Sequence, residues 1–203
     1  MLGFAHVTKI IFFSTHGMAN VSQRRITEQL QISPGNLTYH FKKKEDIETA
    51  LYFALVEEFN ALFAGITAAD MTLDGLISST GQTFDLIKKY RFIFLDFAHL
   101  MRTNEVVATH YRQLTQIRNA QFKFIFNFLI ENDILRIAEL PNEYEYLYQR
   151  MQILSDFYLV NVEILQDQKD KRADYERAIL FLIYPYLTKK GKEVLGNKLN
   201  ELT

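Results

Sequence analysis

The sequence predicts an all-α fold, on three observations. Proline and glycine are scarce, 3 and 8 residues in 203, which favours long helices over many short strands. Apolar residues recur three and four apart, the period of a helix face, as in Leu51, Leu55, Phe59 and Phe63. The one run that could pass for a buried strand, Tyr90–Met101, has helical patterns on both sides and no second strand to pair with. Hydrophobic residues make up 48% of the chain, too many for disorder, and the length suffices for one domain or two small ones with a proper core. No cysteine is present, which excludes disulfides and thiolate metal sites. The opening MLGFAHVTKIIFF lacks the basic start and small-residue cleavage site of a signal peptide, and Lys9 interrupts it. No apolar run approaches a membrane span. A soluble, cytoplasmic protein with no membrane partner is expected.

The elements follow in order. Residues 4–16 read as a first helix with Ile10, Phe13 and Ala5 or His6 turned inward, ended by Gly17. Ser22 can N-cap a second, in which Ile26 and Leu30 give one apolar stripe. After the joint Gln31-Ile32, Ser33 can cap a third helix with Pro34 at its first position. Leu37 and Phe41, four apart, can pack back and leave Asn36, Thr38, Tyr39 and His40 facing outward. Glu45 and Asp46 suit the positive end of a long helix through Phe63. A break at 65–74 precedes a helix over Leu73–Lys89, and Tyr90–Met101 is expected to be helical too. Glu105–Glu131 is one long helix, or a short one and a long one. Loops at Asn132-Asp133 and Leu140-Pro141-Asn142 precede helices near Glu143–Gln166 and Arg172–Leu187, and a short charged helix closes the chain. Pro185 should kink or end the last long helix.

Two short helices with a tight joint, the second carrying polar and aromatic groups on its free face, make a helix-turn-helix. Charge separates this from an ordinary helical hairpin. From Ser22 to Lys44 the cations are Arg24, Arg25, Lys42, Lys43 and Lys44 and the only anion is Glu28, a local +4 on a chain whose total is −1. A basic patch on an otherwise acidic protein is the footprint of a phosphate-binding module.

The string ITEQLQISPGNLTYHFKKKEDI resembles the signature of the tetracycline-repressor (TetR) family of bacterial transcriptional regulators. Ile26, Ile32, Ser33, Gly35, Leu37, Tyr39, His40, Phe41, Lys44 and Glu45 carry the match, and Phe13 and Gly17 stand where that family ends its first helix. The resemblance covers roughly the first quarter of the chain. Three positions depart from it. Gln31 replaces the turn glycine and must adopt or avoid a left-handed conformation at some cost. Thr38 stands in place of a tyrosine, and Arg25 in place of a frequently acidic residue. The resemblance implies a three-helix DNA-binding head over residues 1–47, joined by a long helix to a helical effector-binding and dimerisation domain over 48–203.

Geometry then assigns roles. The N-terminal part of Pro34–Phe41 should lie in the major groove. Asn36 can bond bidentately to adenine, and the methyl of Thr38 suits thymine. Arg24 is the candidate for guanine, and Gly35 allows close backbone approach. Ser22, Tyr39, His40 and Lys44 should bind phosphates, as their family counterparts do; Gln23, Arg25, Ser33 and Pro34 complete the expected interface. The chain has 17 Phe and 11 Tyr, which fill a helical core or, as the family implies, line an apolar pocket. Pocket candidates are Phe59, Phe63, Phe84, Phe94, Phe97, His99, Met101, Tyr111, Phe122, Phe126 and Phe157. The expected ligand is an unidentified small apolar effector, with no cofactor. Asp96, His99 and His110 offer no compact metal set, and no motif supports an enzyme. Family members dimerise through a four-helix bundle. The stripes Leu147, Met151, Leu154 and Tyr158, and Ala178, Leu182 and Tyr186, are the candidates here. The expected function is a ligand-responsive repressor that binds a palindromic operator as a homodimer. The alternative is a helical small-molecule-binding or scaffold protein whose head no longer binds DNA.

Overall fold

The computed structural model describes residues 22–65, 72–166 and 171–199. The helix expected over 4–16, the side chain of Leu30 and the end of the tail lie outside the described residues. Within them the chain is all-α: α1 (Gln23–Leu30), α2 (Pro34–His40), α3 (Lys44–Ala64), α4 (Leu73–Lys89), α5 (Arg91–Leu95), α6 (Phe97–Thr103), α7 (Glu105–Glu131), α8 (Glu143–Leu165), α9 (Lys171–Ile183) and α10 (Lys189–Leu199), with a 3-10 turn at Tyr184–Tyr186. The one extended pairing among them is an isolated antiparallel bridge between Leu135 and Leu187.

Local chemistry explains most boundaries. The Ser22 and Ser33 hydroxyls accept from the Arg25 and Asn36 amides at 3.3 and 3.2 Å, so both short helices start on side-chain caps. Gln31 ends α1 in the left-handed region, φ 52° and ψ 40°, the conformation that a glycine would take without strain. The Lys43 amide donates to Asp46 Oδ2 at 3.0 Å, which starts α3. Tyr90–Met101 is helical as expected, but it breaks at Asp96 into α5 and α6; no proline or glycine marks the break. Residues 105–131 form a single helix, capped where Asn104 Oδ1 accepts from the Val107 amide at 3.2 Å. Pro185 ends α9, and the chain tightens into the 3-10 turn.

One continuous core joins head and body. Ile26 of α1, Leu37 of α2 and Ile47 and Leu51 of α3 belong to the same buried cluster as Phe92, Phe126, Leu147 and Tyr175 of the body. The division expected after residue 47 therefore falls inside α3. Asn104 fastens that helix at its start: its amide donates to the Glu45 carbonyl at 3.1 Å and to Thr49 Oγ1 at 2.9 Å. One residue thus caps α7 and holds the first turn of α3.

Candidate nucleic-acid interface and internal cavity

At the head, packing uses one face of each short helix and leaves the other to solvent. Ile26 and Leu37 are buried, whereas Ser33, Pro34, Gly35, Asn36, Thr38, Tyr39 and His40 are all exposed. Tyr39 is 83% exposed, an unusual position for an aromatic ring, and meets the His40 ring edge-on with centroids 5.1 Å apart. Among the described residues a Cβ at Gly35 would meet nothing within 4 Å, so none of them requires a glycine there. The Thr38 hydroxyl donates to the Pro34 carbonyl at 2.9 Å. Its methyl and an acceptor lone pair are what remain for a base edge.

The cations differ in what holds them. Arg24 Nε pairs with Glu28 at 2.9 Å, with 87% of the Arg24 side chain exposed; such a surface pair is weak and easily exchanged for a phosphate or a base. Lys44 lies 3.7 Å from Glu48 one turn on. Burial pushes the Glu48 carboxyl above its ordinary value, with Lys44 opposing. Gln23 is the exception among the expected contact residues: its amide donates to the Phe41 carbonyl at 3.2 Å and ties the start of α1 to the end of α2.

In the body, a cavity of ≈ 170 Å³ opens between α3, α4, α5, α6, α7, α8 and α9. Of the residues expected to line it, Phe59, Phe63, Phe94, Phe97, Tyr111 and Phe122 do so. Five do not. Phe84 and Phe126 are buried in the core, the latter against Tyr144, His99 is exposed, and Met101 packs against the core without lining the cavity. Phe157 is exposed and meets the Phe97 ring edge-on at 5.9 Å.

Apart from Tyr111, the polar part of the wall was not anticipated. Along the seam of α7 and α8 it forms three rungs: Arg118 beside Tyr148, Thr115 beside Gln152, and Tyr111 beside Asp156. The Tyr111 hydroxyl donates to Asp156 Oδ2 and accepts from Gln152 Nε2 at 2.6 Å. Removal from water pushes the Asp156 carboxyl up to about 7, against the opposing bond from Tyr111. Burial and the nearby Asp156 raise the Tyr111 hydroxyl, and burial lowers the Arg118 guanidinium. A sequence signal existed: Tyr148, Gln152 and Asp156 are spaced four apart, beside the apolar stripe of α8.

The dimer candidates fall differently. Leu147, Met151, Tyr158 and Tyr186 are buried in the chain's own core, with Leu154 and Leu182 packed against it and Ala178 half-buried. The stripe assigned to a partner is therefore the one that closes the core. Uncovered apolar residues on the same elements are Tyr146, Ile153, Phe157, Ile164 and Leu165 of α8, Phe181 of α9 and Tyr184.

Among the described residues no group of three or more His, Asp or Glu could hold a metal, and no helix is long and apolar enough to cross a membrane. Residues 12–51 match a family model described as bacterial regulatory proteins, tetR family, and residues 55–195 match one described as bacterial transcriptional repressor. The fold is similar to the crystal structure of a TetR-family transcriptional regulator from Marinobacter aquaeolei VT8. That similarity has a TM-score of 0.84 at 20% identity, over 98% of this chain and 96% of that one. No curated protein matches the chain.

Proposed function

The chain belongs to the TetR family of bacterial transcriptional regulators, and we propose that it is a ligand-responsive repressor that binds a palindromic operator as a homodimer. The carrying observation is the outer face of α2, where Asn36, Thr38, Tyr39 and His40 are all exposed, Tyr39 by 83%. None of these four is needed to close the core, and all stand within a segment of charge +4. Recognition would place α2 in the major groove. Asn36, Thr38 and Arg24 would read base edges, and Ser22, Tyr39, His40 and Lys44 would hold phosphates.

Dimerisation is supported by Tyr146, Ile153, Phe157 and Ile164, which recur seven and four apart on α8 and are uncovered. With Phe181 they make a face that a second copy would bury, giving the two-fold symmetry that a palindrome matches. Effector response is supported by the cavity, whose wall includes α3, the helix that starts at the head. An effector would favour one orientation of α3 and weaken simultaneous contact with both half-sites. The role is binding rather than catalysis, in the bacterial cytoplasm.

Selection of random duplex DNA on the purified protein, with the enriched sequence titrated over a salt series, tests this reading. The expected result is a palindromic site bound by a dimer, with log K falling steeply in log salt. Weak binding with no sequence preference, from protein refolded free of any ligand, would overturn it.

A further inference from the structure

Arg118 is the least expected residue of the cavity wall. It is only 9% exposed, and burial of a guanidinium without a counterion is strongly unfavourable. Its partners are neutral: Nη1 donates to Gln121 Oε1 at 2.7 Å and Nη2 to Asn60 Oδ1, with the Phe63 ring 4.3 Å away. These bonds use two of the five N–H donors of an arginine. Among the described residues no carboxylate pairs with it. At the other end of the seam Asp156 is bonded to the Tyr111 hydroxyl and likewise has no cation.

We propose that the cavity is built for a small aromatic carboxylate, with its acid group on Arg118, its ring among Phe59, Phe63 and Phe122, and a hydrogen-bonding substituent at the Tyr111–Asp156 pair. The proposal rests on the cavity being the effector site of the regulator described above.

The two charged ends are not equivalent, which decides between an anion and a cation. An arginine keeps its charge at any physiological pH. Asp156 can shed its charge by taking a proton, and burial already favours that form. The permanent charge facing the cavity is therefore positive, and an anion completes the site where an ammonium group would be repelled. Size agrees. The cavity measures ≈ 170 Å³, and an apolar void of about 150 Å³ holds one benzene ring. Length agrees as well. Tyr111 and Arg118 lie seven residues apart on α7, a rise of roughly 10 Å, which suits one ring with a short acidic arm and a polar group opposite.

Calorimetric titration of the full-length protein with 4-hydroxycinnamate, its amide and tyramine tests this. The three probes share a hydroxyphenyl ring and carry an anionic, a neutral and a cationic arm. The acid should bind at least roughly ten-fold more tightly than the amide, as expected for a hydrogen bond to a charged group, with tyramine weakest. Arg118→Gln should erase the preference for acid over amide, with the melting curve reporting on its fold. Arg118→Lys should keep that preference at lower affinity, because lysine has charge without the forked geometry. Tyramine binding as well as the acid, binding of none of the three, or an unchanged preference in Arg118→Gln would overturn the proposal. Should neither variant fold, the wild-type ranking decides. The titration contains no DNA, so its failure leaves the DNA-binding reading standing, and failure of the DNA selection leaves the titration standing.

Discussion

Asp156→Asn should remove a pH dependence of stability that the cavity imposes on the wild-type protein. The folded carboxyl titrates at about 7 and a solvated one at 3.8. Between those values the folded state binds more protons than the unfolded state, so stability must fall as pH rises. The contribution is complete below pH 3.8 and lost as pH passes 7. At 1.36 kcal/mol per pKa unit the loss is at most roughly 4 kcal/mol. Other acids cannot mimic it in the comparison. Arg136 holds the Glu143 carboxyl down at about 2, and Thr109 and Arg112 lower Glu105; both act below pH 4.5. Burial raises Glu48 in the same direction as Asp156, but equally in both proteins. Asparagine keeps an oxygen to accept the Tyr111 hydroxyl and carries no charge at any pH. Urea unfolding of both proteins at equal concentration, from pH 4 to pH 8, should show the difference widening in favour of the variant by up to roughly 4 kcal/mol. Two stability curves that run parallel would refute the reasoning, because Asp156 would then be as well solvated folded as unfolded.

Further outcomes are expected elsewhere. Arg24→Ala should cost roughly 1–3 kcal/mol on the selected operator and relax one base pair, while Lys44→Ala should weaken all sequences alike and reduce the salt slope by about 1. Equal losses on operator and random DNA for Arg24→Ala would remove its base-reading role. Gln31→Gly should stabilise the head by about 0.5–1 kcal/mol, since φ is 52° there; a lower melting temperature contradicts the strain. Phe181→Glu places a charge on a ring that is 63% exposed, and sedimentation should then report a monomer with little affinity for the palindrome; an unchanged dimer moves the interface elsewhere. Asn104→Ala should lower stability by about 1 kcal/mol through the lost α7 cap and weaken release of DNA by ligand; release at wild-type ligand concentration would show that its bonds to α3 do not carry the coupling.

The head was legible because its signals are local. Ser22, Ser33 and Pro34 mark helix starts by side-chain chemistry within three residues, and those caps are present. Gln31 broke the turn pattern, and its left-handed backbone is the strain that the pattern implied. The body was legible as helices but not as faces. On α8 the buried Leu147, Met151, Tyr158 and Val162 and the uncovered Tyr146, Ile153, Phe157 and Ile164 both recur at spacings of four and seven. Periodicity finds two apolar stripes there, but only packing against α7 and α9 says which one turns inward. Phenylalanine counts failed similarly: Phe122 and Phe126 are neighbours on one helix face, yet one lines the cavity and the other is sealed behind Tyr144. Arg118 was hidden because a lone arginine in a long helix ordinarily faces water.

The path from cavity to head can be argued from the bonds that cross the seam of α3 and α7. Asn104 of the α7 cap holds the first turn of α3, Tyr52 Oη meets His110 Nδ1 at 3.0 Å near the middle, and Arg118 donates to Asn60 toward the far end. In the proposed mechanism an arriving carboxylate takes the Arg118 donors that Gln121 and Asn60 leave unused, while Asn104 holds α3 near its start. The bound acid would then bias the orientation of α3 through Arg118 and Asn60, at the end of that helix away from the head. The magnitudes are compatible. A hydrogen bond to a charged group contributes about 1.5–3 kcal/mol, and effectors typically shift DNA affinity by about 1–3 kcal/mol. A carboxylate bond to Arg118 that forms in one orientation of α3 and not in the other would therefore supply a coupling of that size.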